Sequence, residues 1–449
     1  MITALAEKYN APVPRYTSYP TAPHFRPVED ADFYSDWLRR LDPSEPLSLY
    51  LHVPFCKEMC WYCGCNTKVT RKYDPVADYA AALRREIALI AEQLPDRFTV
   101  SHIHWGGGTP SILSAEDFEA TMGLLGDLFD YTPNAERAIE IDPRTADPEK
   151  IAVLARSGIN RASLGIQDFS HKVQAAINRV QSFGLTYQVV KALRANGIEQ
   201  LNFDLMYGLP HQDVAALRKT IELSHELRPN RIALFGYAHV PWMKSHMKMI
   251  NEADLPSGSE RAEQALVAAD CLKELGYVQI GLDHFARPDD PMAIALGMNN
   301  LKRNFQGYTT DSAQNLIGLG ASSIGMLPQG YVQNVTSVHE YKRAVANKGL
   351  PIAKAVAVTE DDRIRRYIIE RLMCDLSVDF AEVETRNNLP SGSFQTELEA
   401  LSILAEDGLL SLKGAKIEIT ETGRFLVRTI CAVFDTYLGK GAGQHSRTI

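Results

Sequence analysis

The chain has 449 residues, of which 45% are hydrophobic and 23% charged, the composition of a soluble globular protein with room for two or three domains. A net charge of −8 without any lysine- or arginine-rich stripe argues against a nucleic-acid partner, and no apolar run approaches the ~20 residues of a membrane-spanning helix. The opening MITALAEKYNAPVPRYTSYPTAP lacks the basic start and apolar stretch of a secretory signal, so the expected compartment is cytoplasmic.

From about residue 47 to 238, short β-rich runs alternate with amphipathic helical stretches. The predicted strands are SLYLHV, VSHIHW, RAIEID, ASLGIQ, LNFDLM and RIALFGYA, with helices such as ADYAAALRREIALIAEQL, EDFEATMGLLGDLF and LTYQVVKALRANG between them. Alternation of this kind predicts a parallel sheet of six β/α units. Glu140 and Asp142 lie opposite Ile139 and Ile141 on their strand. Ser163, Gly165 and Gln167 share one face of the next, and Asn202 and Asp204 one face of another. A polar face repeated strand after strand implies an interior lined for a ligand, because buried polar groups are costly unless something bonds to them. An incomplete (β/α)6 barrel is therefore expected in preference to an open doubly wound sheet. Beyond residue 240 the pattern turns to loops. From about 355 it becomes mostly helical, with DDRIRRYIIERLMCDL and FQTELEALSILAEDG ahead of a hairpin at LLSLKGAKIEIT. Helices followed by a hairpin resemble a winged helix, but the acidic charge favours a packing domain over DNA binding.

Seven cysteines make no disulfide framework: four crowd into residues 56–65 while Cys271, Cys374 and Cys431 stand singly. No second CxxC-type pair is present to complete a zinc site. Cys56, Cys60 and Cys63 follow a CxxxCxxC spacing in the loop after the first strand, which resembles the signature of radical S-adenosylmethionine enzymes. Three thiolates hold three irons of a [4Fe–4S] cubane and leave the fourth open, whereas electron-transfer clusters are closed by four cysteines. Cys65, one residue beyond Cys63, is expected to line the adjacent cavity and not to ligate iron. WGGGTPS at 105–111, directly after the second strand, removes side chains where a ligand can approach the backbone. It stands where that superfamily carries its GGE-like motif, here without the acid.

Further blocks narrow the resemblance: PRYTSYPTA (14–22), YLHVPFCKEMCWYCGCN (50–66), EIDPR (140–144), GIQDF (165–169), NFDLMYGLP (202–210), GYAHVP (236–241), DHFARPDD (283–290), RNFQGYTT (303–310) and FDTYL (434–438). Over nearly its whole length the chain resembles the oxygen-independent coproporphyrinogen III oxidase family. The resemblance implies a radical S-adenosylmethionine barrel in which a deoxyadenosyl radical takes a hydrogen from a propionate β-carbon of coproporphyrinogen III. Carbon dioxide and one electron are then lost. Two propionates become vinyl groups, giving protoporphyrinogen IX. It implies one [4Fe–4S] cluster on Cys56, Cys60 and Cys63, and two S-adenosylmethionine molecules. Tyr50, Gly107, Glu140 and Ile324 would hold the first, and Tyr62, Gly108, Thr109, Gln167, Arg179, Asp204 and Ala238 the second. It also implies an electron donor and an electron acceptor, neither of which the residues identify.

The substrate is a tetracarboxylate, so Arg15 and Arg303 are its candidate partners, with no acid or base needed for catalysis and His52, His104, His239 and His284 expected to be structural. The domains expected are an N-terminal lid or substrate segment (1–46), the barrel with its extension (47–354) and a mostly α-helical C-terminal domain (355–449). A monomer is expected, since heptads and a long exposed apolar helix are lacking. The alternative function is the haem chaperone branch of the superfamily, which typically lacks the PRYTSYPT segment and has phenylalanine where this chain has Cys65.

Overall fold

The computed structural model describes residues 11–440 together with Leu5, Lys8 and Tyr9; the remaining ends of the expected lid and of the expected C-terminal domain lie outside the described residues. The six units appear as β1 (Leu47–Val53), α1 (Asp74–Gln93), β2 (Thr99–Gly107), α2 (Ala115–Leu128), β3 (Asp130–Ile141), α3 (Pro148–Arg156), β4 (Arg161–Gln167), α4 (Phe183–Ala195), β5 (Gln200–Tyr207), α5 (Val214–Glu226) and β6 (Arg231–Gly236), followed by α6 (Gly258–Glu274). Ser114, Asp147, Ser182, Asp213 and Ser257 start α2 to α6, each side chain accepting a backbone N–H of the first turn that the helix itself leaves unbonded.

Strands β1 to β6 pair in order and in parallel. Their apolar residues, such as Ile139, Leu164 and Phe203, are buried in one large core with the helices. The sheet continues past both ends. Beside β6 run β8 (His284–Ala286) and then β7 (Val278–Ile280), both antiparallel. Beside β1 lies β9 (Asn315–Leu319), parallel to it, followed by antiparallel β10 (Ile324–Leu327), β11 (Gly330–Asn334) and β12 (Ile352–Ala357). The two ends of this 13-stranded sheet are not neighbours, so the barrel stays open.

The stretch after 240 differs from the expected loops. It contains α6, announced by the Ser257/Glu260 capping box, and a seventh parallel strand, β9, whose five residues are all buried. Strand β9 carries no alternation because both its faces are covered. Glu86 of α1 pins it: the carboxylate accepts hydrogen bonds from Gly320 N–H (2.6 Å), Asn334 Nδ2 (2.6 Å) and Tyr341 O–H (2.6 Å).

The C-terminal part begins with α7 (Glu360–Asp375) and has its own core, with the expected hairpin at Leu410–Lys413 and Lys416–Ile419. Tyr16 and Tyr19 of the N-terminal segment are buried in that core. Tyr16 O–H donates to Asp435 (3.1 Å), and Thr436 N–H donates to the Tyr19 hydroxyl (3.0 Å), so the PRYTSYPTA and FDTYL blocks hold each other.

Candidate active site

The cysteine loop leaves β1 at the C-terminal end of the parallel strands. Trp61 N–H donates to Ile177 O (3.0 Å) and Asn178 Nδ2 to Met59 O (2.8 Å), docking the loop beside Arg179. Cys60 is buried, and its sulfur accepts from Arg144 Nη2 (3.3 Å) and Arg179 Nη1 (3.5 Å). Asp142 ties both guanidinium groups, at 2.7 Å to Arg144 and 3.3 Å to Arg179. Burial would raise the Asp142 pKa, but Arg179 and Arg144 hold it below the usual carboxylate range. Cys56 lies 3.5 Å from the Thr109 hydroxyl, and burial pushes its thiol up to about 11. Cys63 is lowered chiefly by its hydrogen bond with the Cys65 side chain, which raises Cys65 in turn; Cys65 itself is exposed.

Among the described residues no three His, Cys, Asp or Glu side chains converge on one point as ligands of a single metal ion would. A cubane asks for something else, a separate thiolate at each of three irons. Three cysteines on one short loop, one of them charge-balanced by two arginines, fit that demand.

The glycine turn follows β2. Gly107 has φ +117°, and a Cβ there would stand 2.8 Å from the His52 ring; a Cβ on Gly108 would meet the Phe55 carbonyl at 2.6 Å. Only glycine lets the turn sit this close to the cysteine loop. Gly107 N–H donates to Glu140 Oε2 (3.2 Å), His104 Nε2 lies 3.3 Å from Glu140 Oε1, and the Tyr50 ring stacks on His104 with centroids 5.9 Å apart. Tyr50, Gly107 and Glu140 are thus brought together. Ile324 opens β10, two strands away from β1, where it packs against Phe25, Tyr331 and Val358.

Deeper in the barrel, Asp204 accepts from Ser163 Oγ (3.1 Å) and Asn202 Nδ2 (3.0 Å) on the polar face. Burial and the nearby Glu140 charge push its pKa up to about 6. Gln167 is held at φ +67° where the β4–β5 register shifts, a strained conformation that re-aims a side chain at a strand end. Arg179 also donates to Gly165 O (2.6 Å); burial opposes its charge, but Tyr62, Asp142 and Cys60 outweigh it. Arg179 is therefore largely engaged by the protein, with its buried Nε left over. The four expected structural histidines all have partners: His52 with the Tyr50 hydroxyl, His104 with Glu140, His239 with the Tyr237 hydroxyl and His284 with Asp283.

A cavity of about 620 Å³ opens at the ends of β5 and β6. Arg15 and Arg303 line it, as does Ala238, and so do two arginines that the sequence reading did not single out, Arg261 and Arg428. Arg303 Nη2 donates to Arg15 O (3.3 Å), while Arg303 Nε and Nη1 and Arg261 Nε are buried without a hydrogen-bond partner. Burial and the neighbouring Arg15 charge lower Arg428 to about 10. Sequence spacing has no means of joining Arg428 to Arg15; only the docking of the two chain ends brings them to one wall. Asp142 and Arg144 stood within the EIDPR block and were legible there as charged residues, though not as partners of Cys60.

An open parallel barrel with a three-cysteine loop at its strand ends matches the Radical SAM superfamily model over residues 50–224, and the HemN C-terminal domain model matches residues 358–426. An oxygen-independent coproporphyrinogen III oxidase from Bradyrhizobium diazoefficiens is 50% identical over 437 residues, 97% of each chain. The protein of that name from Escherichia coli strain K12 is 40% identical, over 99% of this chain and 98% of its own. The solved structure of coproporphyrinogen III oxidase (HemN) from Escherichia coli, a radical SAM enzyme, matches with a TM-score of 0.90 at 38% identity, covering 94% of this chain and 97% of that one. The chain belongs to the oxygen-independent coproporphyrinogen III oxidase family. Among the described residues, no helix is long and apolar enough to cross a membrane.

Proposed function

We propose that this protein converts two propionate side chains of coproporphyrinogen III to vinyl groups, giving protoporphyrinogen IX. The observation that carries the reading is the cavity, which sets Arg15, Arg261, Arg303 and Arg428 around one space at the ends of β5 and β6. Four carboxylates call for cations, and buried guanidinium N–H groups without a protein partner are suited to receive them. Trp242, 63% exposed on the same wall, offers an aromatic face to the macrocycle. Residues 1–46 act in this reading as a substrate segment whose Pro12 and Arg15 close one side of the cavity, 47–354 as the barrel with its extension and 355–449 as a docking domain.

Cys56, Cys60 and Cys63 hold the cluster, and Arg144 and Arg179 stabilise its thiolate charge through Cys60. When bound, the cluster and S-adenosylmethionine supply the radical that removes a hydrogen atom from the propionate. Tyr50, Gly107 and Glu140, with Ile324, hold the first S-adenosylmethionine; the Glu140 carboxylate suits an ammonium group or ribose hydroxyls. A second molecule lies against Tyr62, Gly108, Thr109, Gln167, Arg179, Asp204 and Ala238. Its support is the continuity of the polar barrel face with the cavity, since Ala238 lines the cavity and Asp204 feels the charge of His284. The arginines fix the propionates, and the walls of the barrel exclude water. The cluster's electron donor and the acceptor of the substrate's electron are separate partners.

The test is anaerobic reconstitution with S-adenosylmethionine, a reductant and coproporphyrinogen III. Protoporphyrinogen IX, carbon dioxide and 5′-deoxyadenosine are expected together, with two S-adenosylmethionine bound per chain at saturation. A tight haem complex with no protoporphyrinogen formed would instead establish the haem chaperone.

A further inference from the structure

Asp283 is out of place in a pocket built for carboxylates. It immediately precedes β8 and is, among the described residues, the one carboxylate on the cavity wall that carries Arg15, Arg261, Arg303 and Arg428. An apolar or neutral residue there would make the cavity a stronger anion trap. The protein nevertheless keeps this group charged. Burial alone would raise its pKa, but the hydrogen bond from His284 Nδ1 (2.8 Å) and the charges of His284, Arg303 and Arg15 hold it down to about 2. Oδ1 faces His284, and among the described residues no hydrogen bond reaches Oδ2. The Asp283 side chain keeps 20% of its surface accessible, so Oδ2 is free to accept from water and, once a ligand is bound, from that ligand's donor.

Coproporphyrinogen brings four acceptor carboxylates at its rim, and its strong donors at neutral pH are the pyrrole N–H groups at its centre. We infer that Asp283 accepts hydrogen bonds from these pyrrole N–H groups and so selects the reduced macrocycle. The arginines then grip the rim while one carboxylate grips the middle. The sp3 bridges of a porphyrinogen let all its N–H groups tilt toward one face, where a single acceptor serves several. In the flat, oxidised porphyrin, half of the ring nitrogens present lone pairs, which a carboxylate repels. The inference rests on the function proposed above and adds the discriminating contact to it.

The experiment measures equilibrium binding of coproporphyrinogen III and of coproporphyrin III to the iron-loaded protein under anaerobic conditions, for wild type, Asp283→Asn and Arg261→Ala. Wild type is expected to favour the porphyrinogen by at least about ten-fold, and Asp283→Asn to weaken porphyrinogen binding by about that factor while moving porphyrin binding by less than about three-fold. Iron content should stay at the wild-type value. Arg261→Ala should weaken both tetracarboxylates alike. A wild type that binds both macrocycles equally overturns the inference even if no variant folds, as does an Asp283→Asn protein that keeps its preference or weakens both equally. A wild type that binds neither and forms no protoporphyrinogen would sink the functional reading itself. Turnover and arginine dependence without a preference for the reduced ring would sink only the Asp283 contact.

Discussion

Two groups of arginines flank the barrel mouth, and they differ in how their charge is answered. Beside the cluster loop, Arg144 and Arg179 are met by Asp142 and by the Cys60 sulfur at hydrogen-bonding distance, with Arg179 Nε alone left over. In the cavity, Arg15, Arg261, Arg303 and Arg428 share a wall with one carboxylate among the described residues, and guanidinium nitrogens of Arg261 and Arg303 are buried without a partner among them. A guanidinium group satisfied by its own chain is architecture, since its energy is already collected on folding. One left with open donors costs stability until a ligand arrives. Under the proposed function the first group would support the cluster, and the open donors of Arg261 and Arg303 would be met by an anionic substrate.

The widest separation between the two regions is expected from the cysteines. Replacing Cys56, Cys60 or Cys63 by alanine should abolish turnover and the cluster's visible absorbance together. Cys65→Ala should leave iron content unchanged, and loss of iron in that variant would make Cys65 a ligand after all. The arginines come next. Arg179→Ala removes a buried charge that Asp142 and Cys60 both use, so reduced iron content and weaker S-adenosylmethionine binding are expected. Arg261→Ala and Arg428→Ala should keep the iron and raise KM for the tetrapyrrole about 10- to 100-fold each, the loss of one charge-assisted hydrogen bond. If Arg261→Ala lost iron while Arg179→Ala raised only the substrate KM, the assignment of the two groups would be reversed.

The cluster side of this contrast was legible in the sequence and the cavity side only partly so. CxxxCxxC, WGGGTPS and EIDPR are local: each is a short run whose chemistry follows from residues a few positions apart, and strand alternation then sets them at one end of the sheet. Arg15 and Arg303 were reachable because they sit in blocks that cluster chemistry did not explain. Arg428 was not, because it lies in a helical segment whose pattern speaks only of packing. Its place on the cavity wall depends on Tyr16 and Tyr19 burying themselves in the C-terminal core. Strand β9 was missed for a related reason. A strand covered on both faces shows no period of two, and its pairing with β1 crosses more than 260 positions of chain.

Asp204 sharpens the contrast on the acidic side, with a smaller effect. Its pKa is raised from 3.8 to about 6, so the folded chain takes up its proton more readily than the unfolded one. The sign follows: the protonated form favours folding below about pH 4, and this advantage is lost as pH climbs through 6. At pH 7 the ionised carboxylate opposes folding by on the order of 1–2 kcal/mol once its partial exposure is allowed for. Asp204→Asn should therefore stabilise the ligand-free protein at pH 7, seen as a higher Tm. It should also weaken S-adenosylmethionine binding about ten-fold, as expected for the loss of an ionic hydrogen bond. Wild-type affinity should fall as pH drops below about 6, and the variant's should not. A variant that lost both stability and affinity would make Asp204 a structural carboxylate.

Glu86 is the matching case with its charge answered by the protein, and it should leave catalysis untouched. Burial lifts it from 4.5 to about 7, against the pull of hydrogen bonds from Tyr341, Gly320 and Asn334. All three donors belong to elements around β9, so the group serves the seventh strand and reaches no ligand. Glu86→Gln keeps the shape but turns one acceptor into a donor facing N–H or O–H groups, a loss of about 1–3 kcal/mol. Because the folded pKa is the higher one, Glu86 contributes most to stability below about pH 4.5, and that contribution fades as pH rises through 7. The Tm gap between wild type and Glu86→Gln should accordingly be wide at pH 5 and narrow at pH 8, with kcat and KM equal in the two proteins. A gap that widened with pH would mean that Glu86 is held ionised by those three donors, and burial would then not be the dominant force on it.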